Sequence, residues 1–129
     1  VAGAGGTSWS EVERYRASNE AMRNVAAAFA QWGIPTADSI RRARKGAPKV
    51  TFIASGGIRT GVDVAKGIAL GADAAALATP LLKAANASWE AVMEELDEII
   101  QELRITMFCI GAPNLQELKE TPHLRERGP

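Results

Sequence analysis

Short apolar runs alternate along this chain with stretches of helical spacing, and glycine marks most of the joints. Val50-Thr51-Phe52-Ile53-Ala54 is almost continuously apolar, as a buried parallel strand is. Ala74 to Ala78 repeats that pattern, and Val1 to Gly6 reads as the tail of a third strand with a glycine-rich exit. Helical spacing fills the intervals. Val62 to Leu70 predicts a helix with Thr60 or Gly61 as its cap, Asp63 in its first turn and Gly71 closing it. Another helix is expected from Pro35-Thr36 through Ile40 to Lys45, with Thr36 as N-cap and Gly46 and Pro48 ending it. A long amphipathic helix follows from about Ser88 to Cys109, with Val92, Leu96, Ile99, Ile100, Leu103 and Phe108 on its apolar face. Ser8 to Asn24, rich in Glu and Arg, reads as a surface helix or a mobile loop, and apolar Val25 to Trp32 ends at Gly33. From Pro113 the chain reads as a polar tail.

The resulting order, β-α-β-α-β-α with short connections, predicts an α/β fold of parallel strands joined by right-handed crossovers. A (β/α)8 barrel takes about 250 residues, so three of its units fill roughly the length of residues 1–112. A small open α/β domain is the competing architecture, with little cover for its strand edges. The first residue is Val1 rather than methionine, and it stands inside an apparent strand end. The expectation is therefore the C-terminal part of a longer protein, with residues 113–129 as its tail.

Charge narrows the partners. Fifteen basic residues balance fifteen acidic ones, and no basic block is interleaved with aromatics, which argues against nucleic acid. No apolar run approaches the roughly 20 residues that cross a bilayer, and no basic leader precedes an apolar stretch. A soluble, cytoplasmic protein without a membrane partner is expected. Cys109, the single cysteine, excludes an internal disulfide and a cysteine-built metal site. It is expected to be buried packing rather than a nucleophile. The one histidine, His123, stands in the polar tail as a solvated residue and not as an acid or base. The run Arg41-Arg42-Ala43-Arg44-Lys45 and the acids Glu94, Glu95, Asp97 and Glu98 read as solvated helix faces. No catalytic residue and no metal ligand emerges from this chain.

What remains is anion chemistry. In Ala54-Ser55-Gly56-Gly57-Ile58-Arg59-Thr60-Gly61 a strand ends in small residues and turns at once into a helix N-terminus. Glycines let the backbone approach a guest, and the first helical amides lack intrahelical partners, so a phosphate is the expected ligand. Similar exits occur at Gly3 to Thr7 and at Ala78 to Pro80, and in a barrel all three would share the C-terminal face. Ser55 or Thr60 hydroxyls and the Arg59 guanidinium are further candidate donors.

Four segments occur together in order: Ala2-Gly3-Ala4-Gly5-Gly6-Thr7-Ser8-Trp9, Trp32-Gly33-Ile34-Pro35-Thr36-Ala37, Ser55-Gly56-Gly57-Ile58-Arg59-Thr60-Gly61 and Leu77-Ala78-Thr79-Pro80-Leu81-Leu82. With them the chain resembles, from Val1 to about Asn114, the C-terminal portion of the type 2 isopentenyl-diphosphate isomerase family, FMN-dependent (β/α)8-barrel enzymes. Hydroxy-acid oxidases and inosine-monophosphate dehydrogenase carry similar Ser-Gly-Gly-Ile-Arg motifs; the Gly-Gly-Thr-Ser-Trp and Trp-Gly-Ile-Pro-Thr segments narrow the resemblance to the isomerases. It implies strands six to eight, with FMN bound by Thr7, by Gly57, Ile58 and Arg59 after strand seven, and by Ala78 and Thr79 after strand eight. Family members often have serine where Ala2 stands, which removes one side-chain contact. Trp9 would stand either beside the isoprenoid pocket or as a loop anchor. The implied reaction interconverts isopentenyl and dimethylallyl diphosphate, with reduced FMN moving protons, NADPH supplying the reduction and Mg²⁺ binding the substrate diphosphate. Substrate and metal ligands would lie upstream of Val1, and a homo-oligomer, tetramer or octamer, is implied. A different FMN oxidoreductase of the same fold, such as a 2-hydroxy-acid oxidase, and a non-catalytic flavin-binding half-barrel are the alternatives.

Overall fold

A computed structural model describes residues 9–30 and 32–125, which carry seven α-helices and two short strands. The polar N-terminal stretch forms two surface helices, α1 (Trp9–Arg16) and α2 (Glu20–Ala27), and α2 buries none of its residues. Asn19 caps α2 by accepting from the Met22 amide at 2.9 Å. Helix stops at Ala27, short of the expected Trp32. Beyond it the exposed rings of Phe29 and Trp32 meet edge to face, centroids 5.8 Å apart. The strand tail expected at Val1 to Gly6 lies outside the described residues.

Helix α3 (Thr36–Gly46) begins at Thr36 itself, the residue expected to cap it. Pro35, extended at ψ 141°, is the N-cap, and its carbonyl accepts from the Ser39 amide at 2.9 Å. Then come β1 (Ile53–Ala54), α4 (Gly61–Ala69) and β2 (Ala74–Ala75). The strands pair in parallel, Ile53 opposite Ala74 and Ala54 opposite Ala75, so this β-α-β unit has the expected α/β organisation. Bonds from Asp73 N to Phe52 O and from Ala76 N to Ala54 O, both 2.8 Å, extend the ladder. Both strands are shorter than their apolar runs. Ala54 is completely buried, but Val50 and Ile53 are more than half exposed, so the described residues cover β1 on one face only. An apolar run cannot report which of its faces finds cover.

Two apolar clusters hold the unit together, and Val64 of α4 packs against both. Ile40, Ala54, Ile58 and Ala72 lie between α3 and the strands; Ala65, Ile68, Ala112 and Leu118 lie between α4 and the C-terminal segment. After α5 (Thr79–Ala85), the long helix α6 (Trp89–Cys109) is capped by Ser88, whose hydroxyl accepts from Ala91 N at 3.1 Å. Its inner face differs from the expected one. Ile99 is buried and Leu103 and Met107 pack inward at four-residue spacing, whereas Ile100 is 42% and Phe108 87% exposed. Cys109 is also exposed, not core packing. The segment expected as a polar tail forms α7 (Leu115–Lys119) instead and buries Leu118 at 1% exposure.

Two close fits seat these elements. At Gly61 an added Cβ would stand 2.3 Å from both Ile99 O and Leu103 N, so α4 rests its first turn directly on the backbone of α6. At the opposite end of the strands, Arg44 and Asp73 form a saturated hub. Arg44 donates to Gly71 O from Nε (2.8 Å) and Nη2 (2.5 Å), to Pro48 O and Val50 O from Nη1, and to Asp73 Oδ2 at 2.8 Å. Its guanidinium also lies 4.6 Å from the centre of the Phe52 ring. Asp73 accepts in addition from Phe52 N at 2.7 Å and pairs with Lys119. Arg44, read from sequence as part of a solvated cationic face, is three-quarters buried. Gly71, at φ 109°, brings its carbonyl to that side chain in a conformation glycine adopts without strain.

Candidate phosphate-binding site

Because β1 and β2 run parallel, the loops that leave them emerge side by side at their C-terminal edge. The first, Ser55 to Thr60, makes its turn through two successive left-handed residues, Gly56 at φ 88° and Gly57 at φ 81°. Side-chain-bearing residues rarely adopt that conformation, and successive amides in such a turn form a concave seat for an anion. The amides of Gly57 and Ile58 have no hydrogen-bond partner among the described residues. Ile58 offers backbone alone, since its side chain is 7% exposed in the core.

The rest of the loop is pinned by the chain itself. Thr36 Oγ1 donates to Gly56 O at 2.7 Å. Arg59 N donates to Asp63 Oδ2 at 3.2 Å, and Asp63 N donates to Thr60 Oγ1 at 3.1 Å, which makes Thr60 the N-cap of α4. The Thr60 hydroxyl, a candidate donor in the sequence, thus accepts as a cap, which leaves its O–H to donate. Most telling is Gly61, the first residue of α4. Its amide donates to Glu102 Oε2 of α6 at 2.6 Å, so a carboxylate of the chain already sits where an anion at the helix end was expected. Donors without a partner among the described residues remain upstream, the Gly57 and Ile58 amides among them.

The second loop leads into α5, for which Ala78 is the N-cap without a side-chain cap bond. Ala78 and Thr79 are both exposed. Arg59 and Thr79 line one cleft of about 680 Å³, joined by Lys83 of α5 and faced by Glu94, Glu95 and Glu98 of α6. Those acids, expected as a plain solvent face, form a negative wall opposite Arg59. Gly57 and Ile58 instead line a second cleft, of about 510 Å³, shared with Thr36, Arg41 and Lys66. The backbone from Gly57 to Arg59 therefore divides the two clefts. Thr7 lies outside the described residues. His123 is exposed, as expected, beside a groove bordered by α4 and α6.

Thr36 and Glu102 are the functional candidates that sequence reading missed. Thr36 stood inside a noted motif, but its hydroxyl was read as a helix cap. Glu102 gave no signal, because its partner is 41 positions away and the helix carries many acids.

A family model for FMN-dependent dehydrogenase matches residues 15–126. The chain belongs to the FMN-dependent dehydrogenase family. Within that family's frame the two parallel strands are part of a barrel-type α/β fold. The chain is also similar to proteins named isopentenyl-diphosphate delta-isomerase. That of Nostoc sp. (strain PCC 7120) is 52% identical over 126 residues, covering 97% of this chain and 36% of the relative. That of Rickettsia bellii (strain RML369-C) is 49% identical over 120 residues, 93% of this chain and 35% of the relative. The Methanocaldococcus jannaschii protein is 48% identical over 124 residues, 96% of this chain and 34% of the relative. The chain spans about a third of the length of these relatives. Among the described residues no helix is long and apolar enough to cross a membrane, and no group of three or more His, Cys, Asp or Glu could hold a metal ion.

Proposed function

We propose that this chain supplies the FMN-phosphate-binding part of an isopentenyl-diphosphate delta-isomerase, interconverting isopentenyl and dimethylallyl diphosphate. The observation that carries the reading is the pair of loops leaving one edge of a parallel β-α-β unit, one with two open amides and the other beside it. Similarity to the isomerases over almost the whole chain supports the same reaction. In this reading residues 1–112 are the last three βα units of a (β/α)8 barrel, strands six to eight, within a soluble homo-oligomeric enzyme of the cytoplasm. Residues 113–129 follow them as a C-terminal segment.

The residues present suit a phosphate monoester. Gly57 and Ile58 contribute amide N–H groups from one cleft, and Arg59 a charge and Thr79 a hydroxyl from the cleft across the loop. Ala78 gives the backbone room to approach, and Thr7 is assigned to the flavin from the resemblance. Bound and reduced, the flavin supplies the proton transfers at the allylic carbons. This chain's part is to fix the cofactor's phosphate end, with the burial of Ile58 and the bonds to Gly56 O and Arg59 N holding the loop still. NADPH as reductant and Mg²⁺ on the substrate diphosphate belong to the proposal, with their ligands outside this chain.

A second reading, an FMN oxidoreductase of 2-hydroxy acids, is favoured by the dehydrogenase description of the matching family. The two are separated by assaying the full-length protein with FMN. Isomerisation of isopentenyl diphosphate under reducing conditions, without oxidation of a 2-hydroxy acid, is the expected result. Turnover of the hydroxy acid alone would replace the isomerase reading, and flavin binding without either activity would leave a binding module.

A further inference from the structure

We propose that Thr36 is a positioning residue: it sets the orientation of the Gly56–Gly57 peptide and so aims the Gly57 amide at the flavin phosphate. The inference rests on the reading that the Gly57–Arg59 loop holds that phosphate. Thr36 closes the Trp-Gly-Ile-Pro-Thr segment, which otherwise serves only as a mark of resemblance. Its Oγ1 lies 2.7 Å from Gly56 O, on a residue 20 positions away. A carbonyl oxygen only accepts, so the hydroxyl is the donor. Thr36 has that donor to spare because it opens α3. A threonine deeper in a helix can turn its hydroxyl onto the carbonyl of the preceding turn, and at the first helical residue no such turn exists.

The geometry of the turn gives this bond its importance. Gly56 and Gly57 both have positive φ, and a peptide plane between two glycines rotates against little steric resistance. The described backbone has no cis peptide, and in a trans peptide C=O and N–H point in opposite directions. Fixing Gly56 O on the Thr36 hydroxyl therefore turns Gly57 N–H away from that hydroxyl, to a side where no described residue bonds it. With the plane flipped, a carbonyl oxygen would face the phosphate in place of an amide hydrogen, and repulsion would replace attraction. Ile58, buried on the next residue, keeps the remainder of the loop from following such a flip. The hydroxyl of Thr36 chooses between the two orientations.

The test uses the full-length flavoprotein stripped of flavin and titrated separately with FMN and riboflavin, which lacks the phosphate. Thr36→Val removes the donor at constant shape and is expected to weaken FMN about tenfold, near the worth of one hydrogen bond. Riboflavin is expected to change less than about twofold, and Thr36→Ser to restore FMN to within about twofold of the unaltered protein. Arg59→Ala serves as the independent check on the phosphate reading. If Thr36→Val keeps the preference for FMN while Arg59→Ala lowers it, the phosphate site stands and the positioning role falls. If neither variant lowers that preference, the phosphate reading falls and this proposal with it. Equal losses for both ligands, or failure of Thr36→Ser to restore FMN, would make Thr36 a structural contact only and overturn the proposal. Should Thr36→Val not fold, Thr36→Ala is read by the same criteria.

Discussion

The two edges of the β1–β2 pair treat their polar groups in opposite ways. At the N-terminal edge every strong donor and acceptor of the hub is used: Arg44 bonds three carbonyls and a carboxylate, and Asp73 takes Lys119, Phe52 N and Arg44. At the C-terminal edge the chain spends its bonds on the flanks of the loop, at Gly56 O, Arg59 N and Gly61 N, and leaves Gly57 and Ile58 open. Saturation at one edge locks the fold. Selective vacancy at the other is what a ligand site requires, since a donor already satisfied has little to gain from a guest. The same division holds in barrels generally, where one rim serves stability and the other function.

The largest expected effect tests whether the open edge depends on a rigid support. Gly61→Ala drives a methyl group into Ile99 O and Leu103 N of α6, and should destabilise the protein by about 3 kcal/mol or more, seen as a lowered urea midpoint. An unchanged midpoint would mean that α4 is not seated on that backbone. Next is Arg44→Ala, which strips donors from Gly71 O, Pro48 O and Val50 O and should cost about 2 kcal/mol. FMN affinity of the folded remainder should stay within about twofold; a large loss there would erase the contrast between the edges. Arg59→Ala is the mirror experiment. Stability should shift by less than about 0.5 kcal/mol, while FMN binding weakens about tenfold by flavin fluorescence.

Acid gives the mildest test. Lys119 first, then the Phe52 amide and Arg44, hold the Asp73 carboxyl well below the usual carboxylate range. A depressed folded value means the unfolded chain binds the proton more readily, so this stabilisation is complete above about pH 4 and fades as pH falls further. Urea midpoints compared at pH 6 and pH 3 should fall toward acid, and Asp73→Asn should shrink the difference. If Asp73→Asn leaves the difference intact, the hub is not its source.

How much of this could be read from the chain depends on the range of each interaction. Thr60 as a cap, Asp63 in a first turn and Gly71 as a stop are local devices, settled within four residues, and each stands where the pattern put it. Longer-range matters escaped. Arg41 to Lys45 read as one cationic run, yet only tertiary contact turns Arg44 inward. Strand length depends on what covers Ile53, and Leu118 looks polar-flanked until α7 folds back onto α4. Phe108 and Ile100 carry the hydrophobicity of a core face but sit about a quarter turn off the line through Ile99, Leu103 and Met107. At the candidate site, Gly57, Ile58 and Arg59 entered through the resemblance; that the amides of Gly57 and Ile58 have no partner among the described residues shows only once the turn is folded. The expected seat at the end of α4 was not recognisable as taken, because Glu102 comes from another helix.

That carboxylate changes how the site meets its guest. The positive end of a helix amounts to roughly half an elementary charge, and Glu102 sets a full negative charge upon it. The loop therefore exerts little pull at a distance, beyond what Arg59 gives. A free inorganic phosphate, with nothing else to hold it, would find this a poor resting place. A phosphate delivered on the end of a large flat molecule, already gripped elsewhere, needs only aimed hydrogen bonds at close range. The site would then select by tethering and fit, and physiological salt would weaken it little.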